Sequence, residues 1–89
     1  MVTVDDLVVG NSLPAPMVVR VNNINWDAGK SRRAEVELED EAGAALRLVD
    51  YSGAEQSVTW QRDHYYRIAN CNVKASTAKY PVDLAPSKQ

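Results

Sequence analysis

The sequence predicts a single all-β domain, a small five-stranded barrel with one short helix between its third and fourth strands. Short runs rich in β-branched and aromatic residues alternate between apolar and polar positions, and turn-forming Gly, Pro, Asn and Asp separate these runs. A chain of 89 residues can bury only one modest core. We divide it into a lead-in over 1–16 with one turn of helix, the barrel domain over 17–87 and a tail at 88–89.

The first strand is expected over 17–26, directly after the prolines of the lead-in. Val19 and Val21 share one face of this strand, but Ile24 has the opposite parity. A β-bulge after Asn22 would return Ile24 to the apolar face and bend the strand, as a small barrel requires.

The next two strands are expected to form a hairpin around an acidic turn at 40–43, where the DEAG sequence predicts a type I turn ending in a left-handed glycine. The second strand, 32–40, places Ala34, Val36 and Leu38 inward and Arg33, Glu35 and Glu37 outward. The third strand places Leu46 and Leu48 inward and Ala45, Arg47, Val49 and Tyr51 outward. We therefore expect Arg47 and Tyr51 to meet the solvent on the outer face of the barrel.

The segment after the third strand is predicted to form a short helix over about 55–62, with a loop as the alternative. A fourth strand is expected over 64–76, where a change of parity between the pairs Tyr66, Ile68 and Cys71, Val73 suggests another bulge. A fifth strand is expected over 79–85, and its inward-facing residues are Tyr80, Val82 and Leu84. Because Pro81 lacks a backbone donor, this strand should be an edge or end its pairing there.

The charge balance, the cysteine content and the length of the apolar runs limit the functions that this domain can have. The net charge is -2, with 10 basic and 12 acidic residues, so cations must converge on one face if the domain is to bind nucleic acid. A single cysteine, an acidic N-terminus and the lack of an apolar run of about 20 residues predict a soluble, cytoplasmic protein with no membrane segment.

No residue pattern suggests catalysis, a cofactor or a metal site. The chain has one histidine and one cysteine, too few for a structural zinc site, and its four glycines are scattered in turns instead of forming a phosphate-binding loop. The acidic run over 35–41 lacks the glycine of a calcium loop and is interpreted as a solvated edge that discourages strand aggregation. We therefore expect a non-enzymatic protein.

Three segments carry a family resemblance. AEVELEDEAGAALRLVDY, HYYRIANCNVKAS and KYPVDLAPS resemble the second to fifth strands of the oligonucleotide/oligosaccharide-binding (OB) domains of the replication protein A family, especially the archaeal single-strand binding type. The resemblance covers about 18–87. It departs at Asp63 and His64, where that family commonly has Gly-Asp, and at Tyr51, where it often has tryptophan. It implies an OB-fold Greek-key barrel that binds single-stranded DNA with low sequence specificity in replication or repair.

The resemblance also implies a site, on the face of the second and third strands between the loops after the first and fourth strands. The candidate nucleic-acid-binding residues carried over by position are Trp26, Lys30, Arg32, Arg33, Arg47, Val49, Tyr51, Lys74, Lys79 and Tyr80. A base would stack on Tyr51, which contributes about 1–3 kcal/mol without regard to base identity, and arginines would hold phosphates. The competing interpretation is that Arg33 and Arg47 pair with neighbouring glutamates across the strands.

Two alternatives stay open. The near balance of charge and the glutamate-rich hairpin also suit an OB module that binds a protein partner in a replication or repair complex. RNA binding by the same fold cannot be separated from DNA binding, because recognition of the 2′-hydroxyl depends on geometry.

Overall fold

The protein is described by a computed structural model over residues 1–27, 33–50, 60–77 and 79–86. These residues form a short 3-10 helix at Val4–Asp6 and one sheet of six strands. The strands are β1 (Met17–Asp27), β2 (Arg33–Glu39), β3 (Ala45–Asp50), β4 (Tyr65–Ile68), β5 (Cys71–Lys74) and β6 (Asp83–Pro86). Most of the helix predicted over 55–62 lies outside the described residues, and its positions 60–62 are not helical. None of the helices in the described ranges is long and apolar enough to cross a bilayer.

The strand order explains why the sheet curls into a half-barrel. The order is β4-β1-β2-β3-β6-β5, in which only the β3 and β6 pair is parallel. The two edge strands are consecutive in the chain, separated by Ala69 and Asn70. A flat sheet of this size would hold its edges about 24 Å apart, whereas the link between Ile68 and Cys71 reaches about 10 Å. The sheet must therefore bend until its edges approach each other, which confirms an all-β, barrel-like fold.

The predicted number of five strands is wrong, because the fourth predicted strand is divided. Its first half pairs with β1 and its second half with β6. Asn70 lies between the halves with a left-handed backbone (φ 57°), which ends the ladder of β4 and redirects the chain. The parity change that suggested a bulge is thus a break between two strands.

The bulge predicted in β1 is confirmed. Val21 lies opposite Leu38 and Asn23 lies opposite Glu37, so Asn22 is the extra residue. Beyond it Ile24 lies opposite Val36 and packs against the core. The added bend lets β1 pair with β4 over residues 17–20 and with β2 over residues 20–27.

The acidic turn of the hairpin is confirmed, but its first residue is not solvated. Gly43 has φ +87°, and the Asp40 N–H donates to the carbonyl of Ala44 at 2.9 Å. The Asp40 side chain, in a residue only 5% exposed, accepts hydrogen bonds from the backbone of Ala42, Ala44 and Val4 at 2.8 to 2.9 Å. Asp40 therefore links the lead-in to the hairpin. The interpretation of 35–41 as a solvated edge is wrong, because Asp40 is buried and β2 lies between β1 and β3 in the sheet.

The core matches the predicted inward positions. Buried apolar side chains from every strand line it, among them Val19, Val21, Ala34, Val36, Leu38, Leu46, Leu48, Ile68, Cys71, Val73, Val82 and Leu84. Each fully buried aliphatic side chain stabilises the fold by about 1.5–3 kcal/mol. Tyr80 is an exception to the prediction, because β6 begins only at Asp83, after Pro81, and the Tyr80 hydroxyl bonds to Glu37 on the outer face.

Candidate nucleic-acid interface

The outer face of β2 and β3 is centred on Arg47, which is buried. The residue is only 8% exposed, as is Val49, so the expectation that this part of the face meets the solvent is wrong. The Arg47 Nε donates to Asp83 Oδ1 at 2.9 Å, and a terminal nitrogen donates to the second oxygen of the same carboxylate. The other terminal nitrogen donates to Glu35 Oε1 at 3.0 Å. The competing interpretation, a cross-strand ion pair with a glutamate, is therefore correct for Arg47.

The segment between β5 and β6 covers this arginine. Arg47 donates to Thr77 Oγ1 at 3.2 Å, and its guanidinium carbon lies 6.0 Å from the centre of the Tyr80 ring. Parallel pairing of β6 with β3 brings Asp83 beside Arg47. Because the cover comes from residues more than 25 positions away, the alternation within β3 gives no indication of it.

Glu37 links the cover to the first two strands. It accepts hydrogen bonds from Asn23 Nδ2 at 3.2 Å, from Asn25 Nδ2 at 3.0 Å and from the Tyr80 hydroxyl. The bond from Tyr80, followed by that from Asn23, holds the pKa of Glu37 below its ordinary value. Burial, together with the hydrogen bond to Glu37, raises the pKa of Tyr80 to about 12. The phenol therefore stays protonated and remains a donor at physiological pH.

Four hydrogen bonds hold the Arg47 guanidinium within the protein. The hydrogen bond to Asp83 is the main reason that the pKa of Arg47 is raised further, so the guanidinium is always charged. A phosphate could reach it only by displacing Asp83 or Glu35, and breaking a buried pair is expensive. Arg47 and its neighbours thus form a cluster of one paired cation and three carboxylates, with a formal charge of -2. We call it the Arg47 cluster: Glu35, Glu37, Arg47, Thr77, Tyr80 and Asp83.

Of the other predicted site residues, Tyr80 belongs to the Arg47 cluster, and Val49 is buried on the same face of β3. Lys74 at the end of β5 and Lys79 in the following segment are exposed, on the side of the face next to β6. Trp26 and Arg33 belong to the paired ends of β1 and β2. Three predicted site residues lie outside the described residues, namely Lys30, Arg32 and Tyr51.

A second surface, which the sequence analysis missed, lies on the outer face of β1 and β4. Tyr65 is 71% exposed there, and its register partner across the strands is Arg20. Arg67, two residues further along β4, is exposed on the same face. Arg62, in the turn before β4, bonds to Asn23 Oδ1 at 3.0 Å, three residues beyond Arg20 along β1. We call Arg20, Arg62, Tyr65 and Arg67 the Tyr65 surface.

Parity could have revealed Tyr65. Once Tyr66 and Ile68 are assigned to the interior, the alternation places Tyr65 and Arg67 outside. The structure supports that assignment, since the Tyr66 ring packs edge-on against Trp60 at a centroid distance of 4.9 Å. The hydroxyl of Tyr66 also accepts the Gln61 N–H at 2.8 Å, so of the two adjacent tyrosines only Tyr65 offers an open ring.

The described ranges contain neither a group of metal ligands nor an activated thiol. Within them no three His, Cys, Asp or Glu residues are grouped as metal ligands. Cys71 is buried, and burial, with a smaller effect of Asp50, raises the pKa of its thiol. The reactive thiolate is therefore disfavoured at Cys71.

Comparison with known proteins adds no relative: neither a family model, nor a curated protein, nor a solved structure matches this chain.

Proposed function

We propose that the protein is an OB-fold domain that binds single-stranded DNA with low sequence specificity, without catalysis, in DNA replication or repair. The strand arrangement supports the fold assignment. If β4 and β5 are counted as two halves of one kinked strand, the sheet becomes a five-stranded barrel in which that strand contacts both β1 and β6. A partly open five-stranded Greek-key barrel is the architecture of OB domains.

One observation carries the functional proposal: the segment between β5 and β6 lies against the outer face of β2 and β3. In OB domains the ligand follows this face between two loops, one of which joins the last two strands of the barrel. Lys74 and Lys79 border that segment and are exposed, so both can reach a phosphate backbone passing beside the Arg47 cluster. Phosphate contacts of this kind supply affinity that does not depend on base sequence.

A specific observation favours a second candidate, a protein-interaction OB module. The Arg47 cluster contains three carboxylates and one cation, and that cation is already bonded to Asp83 and Glu35. A polar face with a net negative charge suits a protein partner better than a polyanion.

The test is a titration of the intrinsic tryptophan fluorescence with oligothymidylate at two salt concentrations. We expect saturable quenching whose binding constant falls as salt rises, with a slope in log K against log[salt] of about -0.7 per phosphate contacted. Oligothymidylate and a mixed-sequence strand should bind within a few-fold of each other, and an oligouridylate arm separates DNA from RNA.

Charge-neutral variants give the sharper result. Replacing Lys74 and Lys79 with glutamine should reduce the magnitude of the salt slope by about 1.4, which is two phosphate contacts. Glu41→Gln, an exposed residue in the β2–β3 turn, is the control for a general effect of charge. No change of fluorescence and no binding by a labelled strand at high micromolar protein would refute DNA binding and favour the protein-interaction candidate.

A further inference from the structure

Tyr65 is exposed in a way that packing does not explain. Large aromatic side chains on strands normally bury much of their area, as Tyr66 does, whereas Tyr65 leaves 71% of its surface to solvent. It lies in the first position of β4, which is an edge strand of the half-barrel. An open aromatic ring on a strand is the element on which single-stranded nucleic acid stacks, because every base presents a π-face.

Two of the three arginines around Tyr65, Arg62 and Arg67, are not ion-paired within the described ranges, unlike Arg47. Among the described residues the Arg67 side chain has neither a hydrogen-bond nor an ion-pair partner. Arg62 makes one bond, to the neutral amide of Asn23, and keeps its other donors. The three arginines of the Tyr65 surface have two acids beside them, Asp63 and Glu39, the register partner of Arg20 on β2. The surface is therefore weakly positive within a protein of net charge -2.

We propose that the Tyr65 surface is a binding site for single-stranded DNA, in which a base stacks on Tyr65 while Arg67, Arg62 and Arg20 hold the adjacent phosphates; this inference rests on the proposed function. Tyr65 and Arg67 project from the same face of β4 about 7 Å apart, and Arg20 lies directly across the ladder from Tyr65. A DNA strand that runs along β4 contacts the Tyr65 ring and the neighbouring arginines together. The site lies on the opposite side of β1 from the Arg47 cluster.

Asp63 acts as an internal competitor at this site. Its carboxylate accepts from Arg20 at 2.7 Å, and its backbone is held in a left-handed conformation (φ 66°) by a hydrogen bond to the carbonyl of Val21 at 2.8 Å. Because the pair is solvent-exposed, a phosphate can replace the carboxylate at little cost. Removing the charge of Asp63 should therefore strengthen DNA binding.

The experiment measures the anisotropy of a labelled oligothymidylate with the full chain and four variants. Tyr65→Ala should weaken binding about 5- to 150-fold, the range expected for one lost stack, and Tyr65→Phe, which keeps the ring, should stay within about twofold of the wild type. Arg67→Gln should reduce the magnitude of the salt slope by about 0.7. Asp63→Asn should tighten binding by a few-fold, because asparagine tolerates the left-handed backbone and leaves Arg20 to the phosphate.

The outcomes separate this inference from the proposed function. If the wild type does not bind DNA at all, both fail. If the wild type binds, but Tyr65→Ala and Asp63→Asn leave its affinity unchanged, DNA binding stands and the Tyr65 surface is not its site. The three substituted positions are exposed, so thermal unfolding of each variant close to that of the wild type shows that a change in affinity is not a loss of fold.

Discussion

Replacing Asp83 with asparagine should destabilise the protein by about 3 kcal/mol, because it leaves the buried charge of Arg47 without its main partner. The side chains of Arg47 and Asp83 are only 9% and 10% exposed, and two hydrogen bonds join them. Removing one partner of a buried pair typically costs about 3–5 kcal/mol. We expect the lower end of that range, since Glu35 remains 3.0 Å from the guanidinium.

The chain contains a matched control for this change. Arg20 and Asp63 form the same type of ion pair, with a nitrogen-oxygen distance of 2.7 Å, but their side chains are 36% and 65% exposed. An exposed pair of this kind contributes about 0–1 kcal/mol. Asp63→Asn should therefore cost at most about 1 kcal/mol, although the chemistry of the substitution is identical.

Thermal unfolding followed by circular dichroism distinguishes the two variants. For a domain of this size each kcal/mol lowers the melting temperature by about 4–8 °C, so Asp83→Asn should lower it by about 12–24 °C and Asp63→Asn by no more than about 8 °C. Combining Arg47→Met with Asp83→Asn should cost less than the sum of the two single changes, because neither member of the buried pair is left facing an empty partner position. Equal losses at Asp83 and Asp63 would refute the argument that burial decides the strength of these pairs.

Two other predictions concern the polar contacts that close the structure. The Tyr80 phenol should titrate near pH 12, so its bond to Glu37 stabilises the fold below pH 10 and is lost as pH rises toward 12. The lowered pKa of Glu37 gives stability that is present above pH 4.5 and is lost as pH falls through the folded-state pKa. Phenolate absorbance and the pH dependence of unfolding check both, and a Tyr80→Phe variant with an unchanged stability profile would contradict them. Asp40→Ala should cost about 2–3 kcal/mol and abolish hydrogen-exchange protection at the Val4 amide, whereas Glu41→Ala, an exposed neighbour, should change stability by less than about 0.5 kcal/mol; persistent protection at Val4 would show that Asp40 does not hold the lead-in.

Local sequence patterns predicted much of the sheet. The parity of Ile24 relative to Val21 located the bulge in β1, and the DEAG turn located the left-handed glycine at position 43. Both succeed because they depend on residues within a few positions of one another, where strand periodicity and turn chemistry act. The inward positions of β2 and β3 followed from the same alternation, and all are buried.

The errors share another cause. The alternation in β3 correctly places Arg47 on the outer face of the sheet. Arg47 is nevertheless buried, because Asp83 and Tyr80 from a distant part of the chain cover it. Asp40 was grouped with solvated acids, although the lead-in supplies it with the Val4 amide. The alternation of side chains along a strand indicates which side of the sheet a residue occupies. It does not indicate which distant segment of the chain packs on that side.

The sequence by itself determined the all-β class, the hairpin, the bulge in β1 and the side of the sheet that forms the core, because alternation with a period of two residues is a local property of the backbone. Only the tertiary structure decided that the arginine of β3 is buried and paired with carboxylates, while Arg62 and Arg67 near Tyr65 have no ion-pair partner among the described residues. That distinction depends on the parallel pairing of β6 with β3 and on the division of one predicted strand between two edges. Both are contacts between distant parts of the chain, which form when the curled sheet brings its edges together.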